Sequence, residues 1–409
     1  MKERLERLIQ TFSMLIGKDQ PGGVFLLAVD QIPEQDLILL QSVARVSLIA
    51  ARGALAQQIS VPFETIDEPA ALETKRVEEE PSRQLPFMDL PYFNSLGGFS
   101  DDGREYVIYL GPGANTPAPW VNVIANPQFG TLISETGAGF SWSGNSQRNR
   151  LTHWSNDPVL DPHSEIIYIR DEESGIFWNP TAGPIREHNA YLVSHGAVFS
   201  RFEHNSHAIE QLLTSFVPVD DSGGEPIKIN KLTLRNDSKK TRKLSITYFV
   251  EWTLGEHREV TQPHIVTQWE PETGTIMARN GYHPECRDRV AFASIIPETE
   301  SFSCDRTLFL VSNHTAGDPK AMNSKELAGR VGAELDPCAA LQVKLELAPG
   351  EATDVICLLG QGANEAEANA LTRKYHETLA VNQSLEETQR YWDRMLDTVQ
   401  VETPELSAN

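Results

Sequence analysis

A mainly β protein, built as one large antiparallel β-sandwich (a super-sandwich) with an N-terminal helical segment and a C-terminal helical linker, is the fold class this sequence predicts. Three observations carry that expectation. Between Leu85 and Gly360 helical periodicity is absent, and short runs alternate apolar with polar residues. Turn-forming clusters separate the runs, as at Asp101-Asp102-Gly103, Glu173-Ser174-Gly175, Arg235-Asn236-Asp237-Ser238, Glu272-Thr273-Gly274 and Ala348-Pro349-Gly350. No helix-period segment is interleaved, which points to two antiparallel sheets packed face to face.

In chain order, residues 1–63 read as a helical segment. Leu5, Leu8, Ile9, Phe12, Leu15 and Ile16 form one apolar stripe, residues 23–28 a short apolar run, and Pro33-Glu34 opens a second amphipathic helix through Leu37, Leu40, Val43 and Leu48. Residues 64–84 read as a solvated acidic linker, with seven acids and two bases over 64–80. The sandwich follows over 85–360. Its expected strands include Arg104–Leu110, Glu165–Arg170, Lys228–Leu234, Lys243–Trp252, Ala339–Leu347 and Ala352–Leu359. In Lys243–Trp252 the residues Leu244, Ile246, Tyr248, Val250 and Trp252 alternate with Ser245, Thr247, Phe249 and Glu251, the pattern of a strand with one buried face. Helical period returns over 361–400. Asn364–Leu379 reads as one helix, and the capping box Ser384-Leu385-Glu386-Glu387 opens another with Leu385, Trp392, Met395, Leu396 and Val399 inward. Residues 401–409 form a polar tail.

Composition narrows the function. The chain carries 35 Lys+Arg against 57 Asp+Glu, a net charge of −22, which disfavours nucleic acid and anionic membrane surfaces. No apolar run approaches the roughly 18 residues of a membrane span, so no direct membrane insertion is expected. The amphipathic start is unlike a signal peptide. Cys286, Cys304, Cys338 and Cys357 lack zinc-site spacing and read as free thiols, consistent with a cytoplasmic location. No cofactor and no metal are expected. His204-Asn205-Ser206-His207 lies in a predicted strand, where the two rings project to opposite faces and do not share a metal.

The densest polar and aromatic patch is residues 134–158. Trp142 and Trp154 offer flat apolar faces, while Asn145, Arg148, Arg150, Asn156 and Asp157 supply hydrogen-bonding groups. Sugars present apolar C–H faces ringed by hydroxyls, which such a set suits. The same residues equally describe a long inter-strand loop whose tryptophans plug the sandwich edge. Gly111–Trp120, rich in Pro and Gly, reads as a structural loop without phosphate-cradling spacing. Asp101, Asp102, Asp157, Asp161, Glu165, Asp171, Glu251 and Asp305 could each be nominated for a glycosidic carboxylate pair, and that abundance singles out none.

Longer motifs carry a resemblance. Tyr92–Phe99, Asp101–Tyr106, Thr116–Trp120, Val123–Pro127, Gly137-Ala138-Gly139 with Trp142, and Asn149–Thr152 with Trp154–Pro158 resemble the cellobiose-phosphorylase-type region of cyclic β-1,2-glucan synthases. Arg201–His204, Tyr248 with Glu251-Trp252, Ala278–Asn280, Arg289–Phe292 and Asp336–Gln342 continue it, and Pro21–Ala28 is similar to the segment preceding that region. The resemblance implies a sandwich, a helical linker and an (α/α)6 barrel that protonates the glycosidic oxygen while phosphate attacks with inversion. It places the catalytic residues in a barrel beyond Asn409, so none is expected in this chain. It also implies that a sandwich loop reaches an active-site mouth, often that of a partner subunit in a homodimer, and that full-length relatives are membrane-associated with this region on the cytoplasmic side. The matching residues here are those of Gly137–Asp157, chiefly Arg150. The substrate-binding candidates are therefore Trp142, Asn145, Arg150, Trp154, Asn156 and Asp157, and the implied partners are a β-glucan or oligosaccharide and the barrel. Two other readings of the chain are a stand-alone β-glucan-binding module and a glycoside hydrolase or lyase built wholly on the sandwich.

Overall fold

The structure, a computed structural model, describes residues 25–44, 46, 48–49, 53–55, 58, 69–77, 80–283, 285–311, 314–399, 401 and 403. The chain divides into two compact units, Met1–Asp67 and Glu68–Asn409. The amphipathic stripe at residues 5–16 lies outside the described residues. In the first unit, helix α1 spans Glu34–Val43 behind Pro33, whose fixed φ suits a helix start. It ends at Val43, short of the expected Leu48, because Ala44 turns extended.

The second unit is the sandwich. In chain order its strands are β1 (Gly97–Phe99), β2 (Glu105–Leu110), β3 (Val121–Ala125), β4 (Phe129–Ser134), β5 (Gly139–Ser143), β6 (Arg150–Thr152), β7 (Glu165–Asp171), β8 (Phe177–Trp178), β9 (Tyr191–Gly196) and β10 (Phe199–Ser206). They continue with β11 (Ile209–Phe216), β12 (Ile227–Asn236), β13 (Arg242–Gly255), β14 (Ile265–Glu270), β15 (Thr275–Asn280), β16 (Val290–Ile296), β17 (Ser301–Asp305), β18 (Pro337–Leu347) and β19 (Ala352–Gly362). The larger sheet has ten strands in the order β1-β2-β9-β10-β11-β12-β19-β16-β15-β14. The smaller runs β17-β18-β13-β6-β5-β4-β3, with β7 and β8 branching from β13. Every strand pairing among them is antiparallel, as the alternation and short turns predict.

The branch at β13 creates the site. Leu244–Val250 pair with β7, whereas Trp252 and Gly255 pair with β6 across a register shift. The strand changes partner at Glu251, and residues 153–164 leave the sheet through the fork. Glu251 holds both sides: its N–H donates to the Ser164 carbonyl at 2.8 Å and its own carbonyl accepts from the His153 N–H at 3.3 Å.

The main core fills the space between the sheets, with Trp178, Trp252, Tyr191, Phe202, Leu232 and Leu341 among its buried residues. The expectation of one buried face on β13 is corrected: Ser245, Thr247 and Phe249 are buried as well. Helix α2 (Arg258–Thr261) follows β13, and helix α3 (Arg306–Phe309) leads an excursion whose Phe309, Leu310, Met322 and Leu327 cover the outer face at Tyr168, Phe249 and Ala340. Residues 70–75, in the segment read as a linker, hydrogen-bond along the sandwich through Leu72 N–H to the Asn323 carbonyl at 2.9 Å and Lys75 N–H to the Glu173 carbonyl at 2.7 Å.

The larger sheet is covered by α4 (Glu365–Lys374) and α5 (Thr378–Asp397). Asn364 caps α4 by accepting from the Glu367 N–H. Two helical expectations are corrected. The first helix stops at Lys374, since Tyr375 turns its ring into the apolar cluster with Phe292, Ile356 and Leu358. The Ser384 capping box is not a helix start, because Ser384 lies inside α5, buried, with its hydroxyl 3.3 Å from that of Tyr375. Leu385 and Trp392 do pack inward, but Met395, Leu396 and Val399 face solvent. All four cysteines are free, three of them buried and Cys286 half-buried.

Candidate functional site

Two concavities flank the fork. The smaller, about 410 Å³, is lined by Arg150, His153, Trp154, Asn156, His257 and Arg258 among others. The larger, about 960 Å³, lies between the Thr116–Pro119 loop, the Pro158–His163 loop and the His314–Gly317 segment, with Glu251 and Arg306 also lining it. His153 lines both.

The structure brings part of the 134–158 patch together. On β5, Phe140 and Trp142 share one face, with ring centroids 5.2 Å apart. Trp154 stacks on Phe140 at 4.8 Å with planes 16° apart. The Arg150 guanidinium lies 5.5 Å from the Phe140 centroid and 5.8 Å from that of Trp154, within cation–π range, and its Nε donates to the Ser146 carbonyl at 3.1 Å. Arg150, Trp154 and Asn156 therefore edge the smaller hollow, with Asn156 exposed at a positive φ of 51°.

The other candidates sit apart from the hollow's lining. The Trp142 indole covers Gly130, where a Cβ would come within 2.2 Å of the ring. Asn145 uses its side-chain oxygen to accept from the Gln147 and Arg148 N–H groups, both at 2.9 Å, and so shapes its own turn. Asp157 accepts from the Val159 and Leu160 N–H groups at 2.9 and 3.0 Å, which holds its carboxyl below the usual carboxylate range. The same turn presents Val159 and Leu160 to solvent at 87% and 76% exposure on the rim of the larger cleft.

The sequence reading missed the charged floor between the cavities. Glu251 receives Arg258 at 2.8 Å and Arg306 at 3.3 Å, and both arginines also reach Asp336, Arg306 at 3.4 Å. Two cations and two anions close a neutral ring. Its members lie on β13, α2, α3 and the turn before β18, so no local motif announces it; Glu251 entered as one of many nominated acids and in a matching run, and Asp336 only in a matching run.

Glu135 explains the proline-rich loop. Its buried carboxylate accepts from the Thr116 hydroxyl and from the Trp120 N–H at 2.7 Å, tying both ends of Thr116–Trp120 to β4. Burial raises its pKa against those two bonds. Asp161 accepts from the hydroxyls of Ser134 at 2.7 Å and Thr136 at 2.5 Å. His163 donates from Nε2 to the Thr136 carbonyl 3.1 Å away, and burial lowers its pKa. Of the HxxH pair, His204 is stacked on Tyr191 at 3.8 Å, while His207 lies past the end of β10 and pairs with Glu187 at 3.2 Å. Among the described residues no group of three or more His, Cys, Asp or Glu is placed to hold a metal ion. No helix there is long and apolar enough to cross a membrane.

Comparison with known proteins agrees with this architecture. The family described as Glycosyl hydrolase 94, supersandwich domain, matches residues 104–378. The chain is 32% identical over 400 residues to Cyclic beta-(1,2)-glucan synthase NdvB of Rhizobium meliloti (strain 1021), covering 94% of this chain and 14% of that protein. It is 25% identical over 315 residues to the N,N'-diacetylchitobiose phosphorylase of Vibrio proteolyticus, covering 75% of this chain and 38% of that enzyme. It is 26% identical over 329 residues to the solabiose phosphorylase of Paenibacillus borealis, covering 77% and 41%. The chain thus spans less than half the length of each of these relatives. With two stacked antiparallel sheets, a helical pair on the larger one and a family match across more than half its length, the chain belongs to the Glycosyl hydrolase 94 supersandwich-domain family.

Proposed function

We propose that this chain is the carbohydrate-binding sandwich of a glycoside-phosphorylase-type glycosyltransferase acting on β-1,2-glucan, shaping the sugar cleft and subunit contacts of a catalytic barrel. The observation that carries the reading is the Phe140–Trp154 stack with the Arg150 guanidinium beside both rings at the edge of a hollow. An aromatic face takes the C–H side of a sugar, and Arg150 and Asn156 supply donors for its hydroxyls. The synthase and phosphorylases to which the chain is similar support a sugar ligand.

Of the acids that line the larger cleft, Glu135 and Glu251 favour binding over hydrolysis within the sandwich. Both oxygens of Glu135 accept protein donors, and both oxygens of Glu251 face arginines. Neither is set to work across a glycosidic bond as a paired acid and base.

Calorimetric titration of the purified chain with the β-1,2-linked glucose disaccharide tests the reading. Binding with a Kd in the millimolar range is expected, weakened about fivefold or more by Trp154→Ala or Arg150→Ala. No heat at any concentration, or wild-type affinity in both variants, overturns it. Release of glucose 1-phosphate from oligosaccharide and phosphate by the purified chain would equally overturn the assignment of bond cleavage to a barrel.

A further inference from the structure

The two concavities at the fork are neighbours, and their divider is specific. His153 lines both, with its N–H on the Glu251 carbonyl at 3.3 Å. Arg258 lines the smaller hollow and sends its guanidinium to Glu251, which lines the larger cleft. His153 and the Arg258–Glu251 ion pair thus stand between the two cavities, along the stretch of β13 whose Phe249, Glu251 and Thr253 line one or the other.

We propose that the hollow and the larger cleft form one extended groove that binds a neutral oligosaccharide chain, one end against Trp154 and Arg150 and the remainder passing His153 into the cleft beneath Val159 and Leu160. The inference rests on the sugar reading of the hollow and adds that the ligand is longer than a disaccharide.

The chemistry of the larger cleft fits a neutral polyol better than an ion. Its floor charges cancel, with Arg258 and Arg306 shared between Glu251 and Asp336, and the further carboxylates in its lining, Glu135 and Asp161, are engaged by protein hydroxyls and an N–H and disfavour an anion. The whole chain carries −22, which opposes a polyanion. The walls offer Val159 and Leu160 as exposed apolar contacts, alongside the polar side chains of Asn115, Thr315 and His314. Alternating apolar and hydrogen-bonding surface of this kind suits a sugar's C–H faces and hydroxyls. Size agrees: at about 410 and 960 Å³, each cavity alone falls within the roughly 300–1,000 Å³ of small-molecule sites, so the pair accommodates several sugar units.

Titrating the full chain with β-1,2-linked glucose di-, tetra- and hexasaccharides tests this. The hexasaccharide is expected to bind at least tenfold more tightly than the disaccharide. Ala118→Trp or Thr315→Trp, each placing an indole in the larger cleft, should erase that gain, while Trp154→Ala weakens all lengths alike. Two positions are used so that one misfolded variant does not decide the matter. If the disaccharide binds and affinity is flat with length, the extended groove is overturned and the sugar reading of the hollow stands. A length gain that survives both indole substitutions overturns it as well. Absence of binding at every length overturns the hollow's assignment and this inference with it.

Discussion

Gly139 shows how a single position fixes the geometry beneath the candidate site. Its φ is +152°, and a Cβ there would fall 1.8 Å from the Leu132 carbonyl oxygen on the paired strand. Backbone cannot yield as a flexible side chain does, so Gly139→Ala should destabilise the protein by about 3 kcal/mol. Urea denaturation followed by fluorescence measures it, and a loss below about 1 kcal/mol contradicts the packing described. Two buried histidines set the acid limit. Burial holds His195 and His204 down at about 4, with minor opposing bonds from backbone. An unfolded His titrates near 6.5, so between these values the unfolded chain binds more protons. The stability these neutral rings permit is complete above about pH 6.5 and is lost as pH falls toward 4. Moving from pH 7 to 4.5 should cost up to roughly 2–3 kcal/mol per ring. His195→Asn should flatten the slope of stability against pH in that window, and an unchanged slope would show that other groups govern it.

At the scale of elements, the two sheets are joined through a buried ion pair. Lys228 on β12 meets Glu165 on β7 at 2.7 Å, each only 7% exposed at its side chain, and the other Glu165 oxygen accepts from the Thr152 hydroxyl at 2.7 Å. That hydroxyl accepts from the Ser141 N–H, so the link runs from the large sheet to the strands under Arg150 and Phe140. Lys228→Met strands the carboxylate and should cost about 3–5 kcal/mol, whereas Lys228→Met with Glu165→Leu should recover most of it. A double variant as unstable as the single one would mean the pair is not the coupled unit described. None of this pairing was legible in the sequence, since 63 positions separate the partners. What was legible is what local chemistry dictates: the alternation of β13, the turns at Asp101-Asp102-Gly103 and Glu173-Ser174-Gly175, the Pro33 helix start and a helix opening at Asn364. Tertiary packing overruled local signals elsewhere. Ser384 carries a capping pattern yet serves Tyr375 from inside α5, and the polar face of β13 is buried because a distant excursion covers it. The site divides the same way. Arg150 and Trp154 sit close in sequence and meet on Phe140, whereas the Glu251–Arg258–Arg306–Asp336 ring needs four elements to assemble.

For the molecule as a whole, the order of strands implies an order of assembly. β19 lies between β12 and β16, pairing Ile227 with Gly360 on one side and Val290 with Gly362 on the other. The last strand in the chain thus joins the β1-to-β12 part of the large sheet to the β14–β16 part. Until it forms, β12 and β16 expose unpaired backbone edges, and Val355, Cys357 and Leu359 are missing from the main core. Its outer residues Ile356 and Leu358 form the floor on which Leu371, Tyr375 and Val381 of the helical pair settle. A chain ending at Gly350 should therefore show no cooperative unfolding transition and should bind a hydrophobic dye, as expected of a sheet lacking a central strand. A chain ending at Ala363 regains the strand but leaves Phe216, Phe292 and Ile356 without the helices above them. It should unfold cooperatively at a lower denaturant midpoint than the full chain. Cooperative unfolding of the shorter chain, near the full chain's midpoint, would show that the β1-to-β12 part closes without β19. Because the β12–β19 pairing spans more than a hundred residues, refolding of the full chain should fall in the millisecond-to-second range or slower, limited by bringing β19 to β12.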